Sequence, residues 1–317
     1  MQGMNSPTQL KAGFHGVWPD VVTPVKEDHS LDLRRLESHI RTLLYKGASG
    51  VVLFGECGEG PSFSYDEKTQ ALAHLVKEGI ASNAMMLACM GSSVPEVVKL
   101  VHLADYLKLN AVLISTPFYF QDLSDDGLVN YFDFLFRQIA KSPTHCYLHL
   151  LPGKMHHELP DGVLSNVVEK YQERLYGIIN QTGSSSLNND LLKSFGEKVL
   201  IYSCAESDIK ILHSSGIISA MANVIPKVVQ LLMQADQGVQ AIQIPGMKVK
   251  SSEDRLNEFQ AVLAQHASIP TYKYLLSQIY KNQAWKMARP PLSHLDSISI
   301  TALDKAFAGF ALQANLE

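Results

Sequence analysis

Residues 175–186 read LYGIINQTGSSS. Leu175 to Ile179 form a short apolar run, Asn180 and Gln181 end it, Thr182-Gly183 turn the chain, and the serines open a helix. A buried strand that passes through a polar turn into a helix is half of a parallel βα unit. Similar apolar runs recur eight times: GVWPDVVTPV (16–25), GVVLFG (50–55), AMMLACMG (84–91), NAVLIST (110–116), HCYLHLLP (145–152), LYGIINQT (175–182), VLIYSC (199–204) and GIISAMAN (216–223). Between them lie stretches such as LDLRRLESHIRTLLYKG, DEKTQALAHLVKEGI and VPEVVKLVHLADYLKL, with apolar residues at three- and four-residue intervals. Strand–helix alternation at this spacing predicts parallel strands covered by helices, and eight units predict an α/β fold of the (β/α)8 TIM-barrel type. An open doubly wound sheet would want a glycine-rich phosphate loop after its first strand, and PDVVTPVKED (19–28) has none.

Beyond Asn223 the strand pattern stops. SSEDRLNEFQAVLAQH (251–266), PTYKYLLSQIYKNQ (270–283) and SISITALDKAFAGFALQA (297–314) read as helices, with an RPPL turn at 289–292. The expected organisation is a barrel over residues 1–225 and a C-terminal helical extension over 226–317.

Composition sets the class of partner. The 317 residues are 46% hydrophobic and 18% charged, which suits a folded protein with a large core. A net charge of −4 and the lack of Lys/Arg runs interleaved with aromatics argue against nucleic acid. No segment has membrane-spanning length and the N-terminus lacks a leader pattern, so a cytoplasmic location without membrane contact is expected. Cys57, Cys89, Cys146 and Cys204 are widely spaced and read as reduced thiols. The adjacent His156 and His157 lack metal-ligand spacing, and neither metal nor cofactor is expected.

In a barrel of this type the working residues stand at the C-terminal strand ends. There the motifs GECGEGPSFSYDEK, STPFYF, HLLPGK, GIINQTG and SSGIISAMANVIP occur in order. Together, across about residues 14–295, they resemble signatures of the dihydrodipicolinate synthase and N-acetylneuraminate lyase family. The resemblance implies a lysine on the sixth strand that forms a Schiff base with a 2-keto acid and serves as an electron sink for carbon–carbon chemistry. At that position this chain has Ile179. A hydrocarbon cannot condense with a ketone, so ordinary Schiff-base aldolase chemistry is expected to be lost.

Neighbouring positions also depart from the family pattern. His149 stands for its tyrosine, Lys154 for its carboxylate-binding arginine, Glu56 and Cys57 for two threonines, and Cys204 for a glycine. Tyr119 matches the tyrosine of the proton relay, and Glu59 belongs to a Gly-Glu pair that serves the turn. The candidate catalytic residues are therefore Glu56, His149 and Tyr119, and the candidate binding residues are Cys57, Lys154, Ile179, Gln181, Cys204 and Ser219. Each has a plainer structural reading: Glu56 as a turn carboxylate, His149 as a hydrogen-bonded core imidazole, Lys154 as a loop cation, the thiols as small packing residues and Ile179 as filler.

Three functions fit. The chain could bind a small keto, hydroxy or sugar acid without Schiff-base turnover. It could act on such an acid by Glu56/His149 acid–base chemistry, as a hydratase or lyase. It could retain lyase chemistry with Lys154 recruited as imine former. The resemblance implies a homotetramer built as a dimer of dimers, with a homodimer as the lesser assembly, in which the loop carrying Phe118 and Tyr119 approaches a neighbouring subunit.

Overall fold

The computed structural model describes residues 13–120, 122–151, 159–181, 184–206, 209, 216–236 and 258–314. All eight expected strands are present: β1 Gly16–Pro19, β2 Val51–Leu53, β3 Met85–Cys89, β4 Ala111–Ser115, β5 His145–Leu150, β6 Leu175–Asn180, β7 Leu200–Ser203 and β8 Gly216–Ser219. They alternate with α1 Leu33–Tyr45, α2 Tyr65–Lys77, α3 Val94–Leu107, α4 Asp125–Gln138, α5 Asp161–Tyr171 and α6 Ser185–Phe195. After β8 the described residues form α7 Pro226–Asp236, α8 Ser268–Ile279, α9 Ser297–Ala314 and short helical turns, with no strand.

Helix starts follow the sequence. Asp32, Ser64, Ser93, Ser124 and Ser184 each cap a helix by accepting a backbone N–H from its first turn. Ser64 and Glu67 complete a reciprocal capping box on α2.

The chain divides into two compact units. One contains residues 89–217 with the segment ending at His15. Within it β4, β5, β6 and β7 pair in parallel, in the row Ser115↔His149↔Ile179↔Tyr202 at one level and Leu113↔Tyr147↔Gly177↔Leu200 two residues below. Phe14 stacks on Tyr202 at 3.9 Å between ring centroids and meets Tyr147 edge-on at 5.4 Å, so three aromatics pack as one cluster against these strands. Gly177 makes the fit possible: a Cβ there would lie 2.6 Å from the Leu200 carbonyl and 3.1 Å from the Tyr147 ring.

The other unit contains residues 16–88 and 218–317. In it Val51, Val52 and Leu53 of β2 pair with Met85, Met86 and Leu87 of β3, and Asp20 bridges to Val52. The chain past β1 is fixed from several sides. Asp20 N–H donates to Ser219 O at 3.1 Å, Val21 N–H to Val52 O at 2.9 Å, and Val22 N–H to Asn223 Oδ1 at 3.1 Å.

Candidate functional site

At the β1 end lies a buried acid that the motif reading did not single out. Asp20 is 4% exposed; its Oδ2 accepts the Cys57 N–H at 2.9 Å, and its Oδ1 is buried with no hydrogen-bond partner. Gly55 makes room for it, since a Cβ there would run into the carboxyl. Burial pushes the Asp20 carboxyl up to about 7, helped by the negative charge of Glu56 and opposed by the Cys57 N–H. Glu56 is half-buried beside it. Cys57 is buried, with Sγ 3.8 Å from Ser268 Oγ.

Asn223 ties this strand end together. Its Nδ2 donates to Asp20 O at 2.7 Å, while its Oδ1 accepts from Val22 N–H and from His39 Nε2 at 3.1 Å. His39 Nδ1 therefore accepts from the Tyr280 hydroxyl at 2.8 Å. Burial holds His39 down to about 4, so it is neutral at pH 7. Ser219 is fully buried; its Oγ accepts the Ala222 N–H at 2.9 Å and caps the turn that presents Asn223.

The loop after β2 is anchored by charge. Glu59, in a left-handed conformation with φ 54°, forms a buried ion pair with Lys273 of α8. Lys273 Nζ also donates to Met287 O at 2.7 Å, and the Arg289 N–H donates to Glu59 Oε2 at 3.3 Å. The Arg289 guanidinium pairs with Glu67 through two nitrogens and lies 4.2 Å over the Phe63 ring. This chain of contacts gives the Gly-Glu pair the structural role expected of it, and explains why a charge stands beside the RPPL turn.

In the other unit the row Ser115, His149, Ile179 defines the strand ends. Ile179 is fully buried, and His149 is 2% exposed with Nε2 2.6 Å from Gln181 Oε1. An amide oxygen only accepts, so Nε2 carries the proton. Burial draws His149 down to about 4, against the Gln181 hydrogen bond, which leaves a neutral ring at pH 7. The Cys204 thiol lies 3.9 Å from the same Gln181 oxygen. His149, Gln181 and Cys204 thus form one cluster beside Ile179. Tyr119 stands apart from it: it is 71% exposed and packs edge-on with Phe120 at 5.2 Å. Lys154, His156, His157, Thr182 and Gly183 lie outside the described residues.

Among the described residues no group of three His, Cys, Asp or Glu side chains is disposed to hold a metal ion, and no helix is long and apolar enough to cross a membrane. Asp20 and Ser115 are the strand-end residues that sequence reasoning missed. Asp20 had a signal, a lone charge in the apolar run GVWPDVVTPV; Ser115 had only a hydroxyl at the end of NAVLIST.

Alternating parallel strands and helices, polar side chains gathered at strand ends and a helical C-terminal part define an α/β protein of the (β/α)8-barrel class. The fold matches the crystal structure of dihydrodipicolinate synthase from Agrobacterium tumefaciens with a TM-score of 0.83, at 23% identity, over 93% of this chain and 99% of that one. The dihydrodipicolinate synthetase family model matches residues 13–307, and the chain belongs to that family. It is 27% identical over 221 residues to a 4-hydroxy-tetrahydrodipicolinate synthase of Methanosphaerula palustris, covering 68% of this chain and 73% of the relative. It is 22% identical over 291 residues to a 2-dehydro-3-deoxy-phosphogluconate/2-dehydro-3-deoxy-6-phosphogalactonate aldolase of Saccharolobus solfataricus, covering 91% and 93%.

Proposed function

We propose that this chain binds a small keto, hydroxy or sugar acid at its C-terminal strand ends, without the Schiff-base turnover of its aldolase relatives. The observation that carries the reading is Ile179: a fully buried hydrocarbon on β6, in register with His149 and Tyr202, at the position the family motif gives to the imine-forming lysine. An amine cannot be supplied from that position, and the neutral His149 beside it replaces a phenol with an imidazole held by Gln181. Incubation with pyruvate and borohydride tests the loss of imine chemistry. The protein mass should stay unchanged; a reduced adduct at Lys154 would instead support the recruited-lysine lyase. Thermal shift against panels of keto, hydroxy and sugar acids tests binding, since a ligand that binds only the native state raises its stability.

Asp20 favours a second reading, acid–base turnover of such an acid. A carboxyl that titrates near neutrality can both take and give a proton at working pH, whereas His149 is held neutral there. Glu56 would then set the charge around Asp20. Consumption of a hydroxy or keto acid by the wild type, lost in Asp20→Asn and Glu56→Gln, is the outcome this reading requires. We also propose a family-like assembly: the exposed Tyr119 and Phe120 supply an apolar surface suited to a neighbouring subunit.

A further inference from the structure

Two polar atoms at the ends of β4 and β5 narrow the class of acid. Ser115 and His149 are register partners on adjacent parallel strands. Their side chains therefore leave the sheet on the same face from backbones about 4.8 Å apart. Ile179 is the next residue in that row. Ser115 is 1% and His149 2% exposed, and Ser115 Oγ and His149 Nδ1 are both buried with no hydrogen-bond partner. Buried polar atoms are nearly always paired, so two orphans on neighbouring strands point to a group that meets them.

The two atoms ask for different things. His149 Nε2 donates its N–H to Gln181 Oε1, which leaves Nδ1 as a bare lone pair in need of a donor. The Ser115 hydroxyl can donate as well as accept. With the hydrocarbon of Ile179 beside them, they suit a ligand group that donates a hydrogen bond to Nδ1 and accepts one from Oγ, and a hydroxyl is such a group. A ketone only accepts. It would satisfy Ser115 but set its oxygen lone pairs against those of Nδ1.

We propose that Ser115 and His149 form a hydroxyl-recognising subsite, so that the ligand is a hydroxy acid or polyhydroxy sugar acid and not the matching 2-keto acid. The inference rests on the acid-binding function proposed above and narrows it. Because a buried nitrogen left unpaired penalises the wrong ligand, the hydroxy member of a matched pair should bind about 10- to 100-fold more tightly.

Calorimetry with lactate against pyruvate, and gluconate against 2-ketogluconate, reads that ratio directly. The expected preference for the hydroxy acid falls toward unity in His149→Phe, whereas Ser115→Ala weakens both members of each pair and leaves their ratio in place. Since replacing a buried imidazole can impair folding, nitrogen-15 NMR of the wild type at neutral pH supplies a second measurement. His149 should be protonated on Nε2, and its Nδ1 signal should move when the hydroxy acid is added. Equal affinity for both members of each pair, or a His149 protonated on Nδ1, overturns the subsite and leaves acid binding standing. Failure of every acid in both sets to bind overturns the acid-binding function itself, and the subsite with it.

Discussion

Replacing Asp20 with asparagine should flatten the dependence of stability on pH between 5 and 8. The carboxyl titrates near 7 in the native protein against an ordinary value of 3.8. A folded-state value above the unfolded one means that its stabilisation is fully present below the unfolded value and is lost as pH rises through 7. Over the whole range that amounts to roughly 4 kcal/mol, of which more than half disappears between pH 5 and pH 8. For a chain of this length, whose unfolding entropy is on the order of 0.7 kcal/mol per kelvin, the loss is worth about 4 °C in Tm. The asparagine amide of Asp20→Asn keeps an oxygen for the Cys57 N–H and cannot ionise, so the variant should match the wild type near pH 5 and melt about 4 °C higher at pH 8. His39 and His149 act in the opposite sense. Their folded values near 4 lie below the ordinary 6.5, so their contribution is present above 6.5 and is lost as pH falls toward 4. Both are shared by the two proteins and cancel in the difference. Scanning calorimetry of wild type and Asp20→Asn across this range is the assay. Curves that stay parallel would refute the reasoning, because they would place the Asp20 titration outside the window.

Ile179→Lys should yield at most a borohydride-trappable adduct with pyruvate and no efficient aldol reaction, since the positions of Glu56, Cys57, His149 and Lys154 still lack the family's hydroxyls and arginine; brisk pyruvate–aldehyde condensation by this single variant would contradict that. Lys273→Met leaves the buried Glu59 carboxylate without its cation and should cost about 3–5 kcal/mol in chemical denaturation, with part of it recovered in the double variant Glu59→Gln/Lys273→Met. A recovery of nothing would mean that the pair is not coupled in stability. Light scattering at micromolar concentration should report a tetramer, or a dimer as the lesser assembly; a monomer would count against a role for the Tyr119–Phe120 surface in association.

The strand–helix alternation was legible in the sequence because buried parallel strands are short apolar runs and their helices carry a different period. The runs were longer than the strands for a physical reason. GVWPDVVTPV continues past Pro19, but there the backbone bonds turn from one partner to another, with Asp20, Val21 and Val22 donating to Ser219, Val52 and Asn223 in succession. At the strand ends, the motif register brought out His149, Gln181 and Cys204, and these three do meet. Ser219 and Cys57 have plainer surroundings than the motifs implied, one a turn cap and the other a buried thiol whose N–H holds Asp20. What a single sequence could not give was pairing at a distance: Asp20 depends on a residue 37 positions away, and Glu59 on a lysine near the other end of the chain. The orphaned atoms of Ser115 and His149 are hidden for the same reason, since an unmet hydrogen bond is a property of surroundings and not of a residue.

The reach of Asn223 has a consequence for how the protein is made. The end of the first strand takes one backbone partner, Val52, from nearby in the chain, but the others from Ser219 and Asn223, the latter 201 positions beyond Val22 and 203 beyond Asp20. A ribosome adding about 5–20 residues per second takes some ten seconds or more to produce them. Throughout that interval the backbone of Asp20 and Val22 must stay hydrated or find other company, and its native pairing must await a loop closure of the costliest kind. The first strand to leave the ribosome is therefore among the last to be fixed, and chains halted before residue 219 should present that segment to chaperones and proteases.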